Sequence, residues 1–251
     1  MTIPIFTALV VAAGDGTRME SSCVPKQYNN IGGYSLLHHT LTRVISPYNC
    51  PIQVVIKPDH SSFYRDTVLS LPKNVRQLLR EPTFGGTRRQ DSVRLGLQSL
   101  KGINPEFVII HDACRPFADI FTRDAIFSHM IDAVGVVPVM PLSETVGVIK
   151  NNVIANAIPR ESTCIIQTPQ IFRYKDILDC HEKTYSLTPE KPFTDDSTLA
   201  LHCNLRVATM RGNVDNIKIT TQNDLIRAMH YLSRMELVNA SSETAFVAET
   251  H

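Results

Sequence analysis

Apolar positions along this chain follow two alternating rhythms. Nearly continuous, β-branched runs occupy 5–13 (IFTALVVAA), 52–58 (IQVVIKP), 75–81 (VRQLLRE), 107–113 (FVIIHDA) and 133–139 (AVGVVPV). Runs of that kind predict strands covered on both faces. Between them the spacing changes to threes and fours. Residues 35–46 set Leu37, Leu41, Val44 and Ile45 on one helical face, and residues 89–101 do the same with Val93, Leu97 and Leu100. Strands alternating with helices predict βαβ units, an α/β fold and a mostly parallel sheet.

Beyond residue 140 the pattern changes. Residues 142–163 alternate and contain the turn signal Lys150-Asn151-Asn152, which predicts a β-hairpin arm leaving the body. An arm with little core of its own usually rests on something, often a second subunit. Residues 171–186 read as helix, and 206–212 and 216–220 as strands. Thr221 and Asp224 form a capping-box pair opening a last helix, with Leu225, Met229 and Leu232 inward. Residues 1–238 form one domain in this reading. From about Asn239 the chain is polar and aperiodic, as a mobile tail would be.

Composition narrows the partners. A formal net charge of +1 draws the chain neither to nucleic acid nor to an anionic membrane, so any bound anion must be gripped locally. No apolar run reaches the length of a membrane span, and the N-terminal apolar segment runs into glycines instead of a cleavage site. The six cysteines are scattered without a C-x-x-C pair, the usage of reduced thiols in the cytoplasm.

Three loops that directly follow strand candidates carry the candidate chemistry, at the sheet edge where such folds collect ligands. In AAGDGTRM, Gly14 and Gly16 bare the backbone N–H groups for an anion, and Arg18 adds a fork for phosphate oxygens. Neither a Walker loop nor a dinucleotide fingerprint fits, because Met19 holds the third glycine position. In PKQY, Lys26 is a point charge for phosphate only if its neighbours support that; alone it is a solvated lysine. In GGTRRQDSV, Gly85 and Gly86 allow a flat base near the backbone, Ser92 lies in the first turn of a helix, and Asp91 caps that helix. In HDACRP, Asp112 at a strand's carboxyl end suits Mg²⁺. His111 there reads as a hydrogen-bonded core histidine, and Arg115 either holds phosphate or pairs with Asp112. Arg160, Thr168, Thr194 and Lys218 are later signals, each of which alone could be a cap or a surface group. No Ser/His/Asp triad is evident.

AAGDGTRM, PKQY, GGTRRQDSV, HDACRPF, QTPQ, TDDS and NIKIT, in this order and spacing, resemble the 2-C-methyl-D-erythritol 4-phosphate cytidylyltransferase family over residues 5–235. The resemblance implies a Rossmann-like nucleotidyltransferase fold, a homodimer with interlocking arms, and catalysis dependent on Mg²⁺ held at Asp112. It implies that Ala12, Ala13, Gly14, Gly16, Arg18 and Lys26 surround CTP, that Gly85, Gly86 and Ser92 read cytosine, and that Asp112 and Arg115 lie alongside. Thr145, Arg160, Thr168, Thr194 and Lys218 would hold methylerythritol phosphate, Arg160 from the partner subunit. Arg18, Lys26 and Lys218 would be the catalytic cations. Some relatives carry a fused cyclodiphosphate synthase; with the chain ending near residue 251, only the first activity is expected. Rivals are a cytidylyltransferase for another polyol phosphate, such as ribitol phosphate, and a nucleotide-binding module without turnover. An NAD-dependent oxidoreductase is disfavoured by the missing third glycine.

Overall fold

The computed structural model of the chain describes residues 5–14 and 24–248, with 236–248 as backbone only. The first strand, β1 (Phe6–Ala12), is followed by a short hairpin of β2 (Asn30–Ile31) and β3 (Tyr34–Ser35). Helix α1 (Leu36–His39) continues as a π-helical stretch over Thr40–Ile45. Then come β4 (Ile52–Ile56), α2 (Ser61–Ser70), α3 (Lys73–Arg76), β5 (Thr83–Phe84), α4 (Arg89–Ser99) and β6 (Phe107–Asp112). The second half holds α5 (Arg123–His129), β7 (Gly135–Pro141), β8 (Val146–Lys150), β9 (Val153–Ile158), β10 (Cys164–Ile166) and β11 (Gln170–Arg173). It closes with α6 (Tyr174–Leu187), α7 (Asp196–His202), β12 (Val207–Arg211) and α8 (Gln222–Ala248).

The main sheet has the order β10-β7-β11-β6-β1-β4-β5, with β12 on the other side of β7. Its first-half strands β6, β1, β4 and β5 are parallel, whereas β11 runs antiparallel to both β6 and β7. The sheet is therefore an α/β Rossmann-like sheet whose parallel half matches the expectation and whose second half is mixed. The uninterrupted apolar run of β1 divides by strand alternation. Phe6, Ala8, Val10 and Ala12 pack into the core under α1, with Leu37, Leu41, Val44 and Ile45. Leu9 packs into the core under α4, with Val93, Leu97 and Leu100. All seven predicted inward residues of these two helices are fully buried.

Four local expectations are corrected. Residues 75–81 are not a strand: Val75, Leu78 and Leu79 are spaced by helical threes and fours, and Pro72 leads into the turn α3. In 171–186 the first three residues complete β11, buried between two strands, and the helix begins only at Tyr174. Residues 216–220 form no strand; Ile219 N–H donates to the Cys114 carbonyl beside the end of β6. On α8, Ala228 faces inward with Leu225 and Leu232, and Met229 is 42% exposed. The capping box is present, with Asp224 N–H donating to Thr221 Oγ1 and Thr221 N–H to Asp224 Oδ2. The helix it opens runs through Ala248, past Asn239.

The arm forms as β8 and β9, paired antiparallel around Asn151 and Asn152. Both asparagines have positive φ, 51° and 61°, the backbone that a tight two-residue hairpin turn demands and asparagine tolerates. Ile149, Val153 and Ile154 are more than 60% exposed on it.

Candidate active site

The carboxyl ends of β1 and β6 open into a hollow of about 130 Å³. Ala12, Ala13 and Gly14 form one wall, and Gly86 to Arg89 with Ser92 form another. Lys26, Asp112 and Lys218 line the same space. Gln27, fully buried beside Lys26, sets the glycine-loop backbone: its Nε2 donates to the carbonyls of Ala12 (2.6 Å) and Gly14 (3.0 Å). The sequence reading passed over Gln27. Its signal is a long polar side chain next to a proline-fixed turn. Gly16 and Arg18 lie outside the described residues.

The second loop is built by close packing. A Cβ on Gly85 would meet Ala13 Cβ and Ser92 Oγ, each at 2.6 Å, so this position admits only glycine without rearrangement. Ser92 Oγ accepts from Gly86 N–H at 3.2 Å. Ser92 thus shapes the glycine turn from within while also lining the hollow. Asp91 caps α4 as expected, accepting from Arg88 N–H at 3.2 Å and binding the Arg88 guanidinium at 2.9 Å.

Asp112 is the electrostatic centre. Lys218 Nζ lies 2.7 Å from its Oδ2, Arg89 Nε 2.9 Å from its Oδ1, and Arg115 Nε 3.9 Å from Oδ2. Burial alone would raise this carboxyl; Arg89 and Lys218 outweigh it and hold Asp112 well below the usual carboxylate range. Arg89 was missed in the sequence. A cation in the first turn of a helix opposes the helix dipole, and that conflict is a signal for nearby carboxylates. Arg89 has two: its NH1 also lies 2.9 Å from Asp196 Oδ2.

Two residues hold the end of β6 from behind. Asp112 N–H donates to Thr168 Oγ1 (3.2 Å), and Thr168 Oγ1 donates to His111 Nδ1 (2.9 Å). His111 Nε2–H donates to the Arg115 carbonyl at 3.0 Å. Burial pushes the His111 imidazole down to about 4, so it is neutral at pH 7, a core histidine as expected. Thr168 is correspondingly buried, with its hydroxyl committed to this chain of bonds, and does not stand on a cavity wall.

A second hollow, of about 580 Å³, adjoins the first. Arg115, Leu142, Ser143, Gln167, Asn216 and Lys218 contribute to its lining. Arg115 is thus on this side of Asp112 and not among the residues of the first hollow, its NH1 donating to the Asn216 carbonyl at 2.7 Å. Gln167 ties the floor together through the Asn213 backbone, donating at 2.8 Å and accepting at 3.1 Å. Thr145, Arg160 and Thr194 are exposed and line neither hollow in the single chain. Thr145 stands on the neck of the arm just past Leu142 and Ser143, Arg160 pairs with Glu161 at 3.5 Å, and Thr194 precedes the Asp195 cap of α7.

Among the described residues Asp112 is the one carboxylate lining the first hollow, and no group of three His, Cys, Asp or Glu gathers elsewhere. That donor set excludes an all-protein metal cage. It fits Mg²⁺, which takes one or two carboxylates and completes its shell with water and phosphate oxygens.

Bare amides, four cations and a single acid at the carboxyl edge of a Rossmann-like sheet define a nucleotidyltransferase. The chain belongs to the family of 2-C-methyl-D-erythritol 4-phosphate cytidylyltransferases, whose model matches residues 6–234. It is 42% identical over 221 residues to the bifunctional enzyme IspD/IspF of Wolbachia pipientis, covering 87% of this chain and 53% of that one. It is 38% identical to the enzyme of the same name from Paramagnetospirillum magneticum, covering 88% and 55%. The chain thus spans about half the length of these curated relatives. Among solved structures, the 4-diphosphocytidyl-2C-methyl-D-erythritol synthase of Anaerococcus prevotii matches with a TM-score of 0.73 at 29% identity, covering 92% of this chain and 99% of that one. No helix of the described residues is long and apolar enough to cross a membrane.

Proposed function

We propose that this chain transfers CMP from CTP to 2-C-methyl-D-erythritol 4-phosphate, giving 4-diphosphocytidyl-2-C-methyl-D-erythritol and pyrophosphate. The observation that carries the reading is that Lys218 lines both hollows, with its ammonium 2.7 Å from Asp112. CTP occupies the first hollow and the sugar phosphate the second, so that the acceptor phosphate and the α-phosphorus meet at Lys218.

The chemistry needs no general base. A phosphomonoester has its second pKa at about 6, so the nucleophilic oxygen is largely ionised at neutral pH. That oxygen bonds to the α-phosphorus while the bond to the pyrophosphate oxygen breaks. The difficulty is contact between two anions. Lys26, Lys218 and Arg18 offset that repulsion and stabilise charge on the α-phosphoryl oxygens and the leaving pyrophosphate. Mg²⁺, held by Asp112 and the phosphates, supplies further positive charge when bound. Ala12, Ala13, Gly14 and Gly16 present backbone to the triphosphate, and Gly85, Gly86 and Ser92 face the base. On the acceptor side Arg115 faces the sugar phosphate, Thr168 acts from behind by fixing the end of β6, and Thr145 and Thr194, which line neither hollow of the single chain, join in the assembled dimer.

The chain works as a homodimer joined through the arm, in the cytoplasm, in isoprenoid synthesis. Support for the dimer is the apolar surface of Ile149, Val153 and Ile154, together with the separation of Arg160 from either hollow of its own chain. The test is pyrophosphate release from CTP with Mg²⁺, offered each polyol phosphate in turn. Release is expected with 2-C-methyl-D-erythritol 4-phosphate. Faster release with ribitol 5-phosphate would replace this acceptor, and no release with any would leave a nucleotide-binding module.

A further inference from the structure

Behind the first hollow runs a chain of alternating charge. Lys218 meets Asp112, Asp112 meets Arg89, Arg89 meets Asp196, and Asp196 Oδ1 accepts from His181 Nε2 at 3.0 Å. Only its first three members touch the hollow. The side chains of Asp196 and His181 are 1% and 2% exposed. The two sit on α7 and α6; Asp196 belongs to TDDS, in which Thr194 alone is assigned a substrate contact, and His181 lies in none of the motifs.

We propose that Asp196, backed by His181, is a positioning residue for the transfer, because it divides Arg89 between two carboxylates and leaves Asp112 free to serve Lys218 and the divalent cation. This rests on the cytidylyl-transfer reading. A guanidinium offers a fork that grips a carboxylate with two parallel bonds when no other acid competes. Here Arg89 spends Nε on Asp112 Oδ1 and NH1 on Asp196 Oδ2, both at 2.9 Å. Asp112 Oδ2 therefore remains with Lys218. Without the charge of Asp196, the whole of Arg89 has one buried partner. Its fork closes on Asp112, and both carboxylate oxygens are taken. Arg89 is also the first residue of α4, where the helix dipole already disfavours it, so withdrawing one acid strengthens its demand on the other.

Asp196 is held for this task. It is the first residue of α7, whose dipole favours an anion, and Asp195 caps the same helix by accepting from Thr198 N–H. His181 fills the oxygen that Arg89 leaves, which fixes the carboxylate plane. Both of Asp196's neighbours lower its carboxyl below the usual range against the effect of burial.

A merely structural role would lower stability or disturb every substrate alike. Positioning makes a narrower demand, which the variants Asp196→Asn, His181→Ala and His181→Gln test in the full chain. Mn²⁺ serves as the paramagnetic probe, its binding read by electron paramagnetic resonance with CTP present and no acceptor. With Asp196→Asn the expected result is Mn²⁺ affinity weakened about fivefold or more and kcat lowered about tenfold or more, with KM for the sugar phosphate within about twofold. His181→Gln, whose amide can still donate to Asp196, should recover most of what His181→Ala loses. Unchanged Mn²⁺ affinity and kcat in Asp196→Asn would overturn the proposal, as would equal losses in the two His181 variants. If Asp196→Asn does not fold, the His181 pair decides. Failure of the unsubstituted chain to release pyrophosphate would instead sink the transfer reading, while Mn²⁺ binding would still report on Asp196.

Discussion

Lys218 and Asp112 meet at 2.7 Å on the wall shared by the two hollows. A lysine so placed, only about one-third exposed and held by an acid, is oriented before either substrate arrives. Its charge is then available where the α-phosphoryl oxygens become more negative. Lys218→Met should lower kcat on the order of 10²-fold, with a smaller change in CTP affinity, in the range found for lost transition-state donors. Steady-state kinetics with both substrates varied would check this. A change confined to KM would move Lys218 from the chemistry to substrate binding.

Lys26 lines the same first hollow, in the turn whose neighbour Gln27 pins the glycine-loop backbone. Lys26→Ala should also cost about 10²-fold in kcat. Gln27→Leu gives a contrasting outcome: it preserves bulk but orphans the Ala12 and Gly14 carbonyls. Its main effect should be weaker CTP binding, measured by calorimetry without acceptor.

The parts of this site that were legible in the sequence are those in which residue type and local geometry coincide. Asp112 ends a buried strand, Gly85 and Gly86 precede a helix, and Lys26 follows a proline; each is visible in a short window. The inward faces of α1 and α4 were legible for the same reason, because periodicity is local. What stayed hidden depends on contacts between distant segments. Arg89 reaches Asp196 over a hundred positions away, and Thr168 turns inward because His111 and the Asp112 amide claim its hydroxyl. The strand expected at 75–81 failed because a short apolar run fits a helical turn equally well, and residues 216–220 bond to the loop after β6 through Ile219 and Cys114, a long-range contact that no short window shows.

Gly135 marks a packing limit in the sheet. A Cβ there would run into the Phe172 ring and stand 2.8 Å from the Ile171 carbonyl oxygen. Both neighbours belong to β11, which is locked between β6 and β7. Gly135→Ala should destabilise the fold by about 1–3 kcal/mol, the usual cost of overpacking. A urea-denaturation midpoint at or above that of the unsubstituted chain would contradict this.

Acid should weaken the fold well before the carboxylates protonate. His111 is held neutral by burial, with its pKa lowered to about 4 from an ordinary 6.5. The unfolded chain therefore binds a proton that the folded chain refuses between those values. Stability is full above about pH 6.5 and falls as the pH drops toward 4, by roughly 3 kcal/mol from this group if its whole shift is expressed. Asp112 is shifted in the same downward direction by Arg89 and Lys218 against burial, and its contribution is lost only at still lower pH. Urea midpoints at pH 7 and pH 5 should differ, and His111→Gln should reduce the difference. A midpoint independent of pH over that interval would exclude the account.

Arg160 lines neither hollow of its own chain, and its side chain is 59% exposed and paired only with Glu161 at 3.5 Å. If the arm carries it to a partner subunit, Arg160→Ala should raise KM for the sugar phosphate about 10- to 100-fold, the worth of one charge-assisted phosphate contact. KM for CTP should move far less. Mixing separates the two possible origins of the guanidinium. A dimer of one Arg160→Ala chain and one Lys218→Met chain contains a site with Lys218 from the first and Arg160 from the second. Cross-subunit supply predicts that mixing the two impaired preparations, unfolded and refolded together and assayed with sugar phosphate well below the raised KM of Arg160→Ala, restores about a quarter of full activity. That fraction reflects statistical pairing with one intact site per mixed dimer. If Arg160 served its own chain, every site in the mixture would lack one of the two residues, and activity would stay at the level of the separate variants.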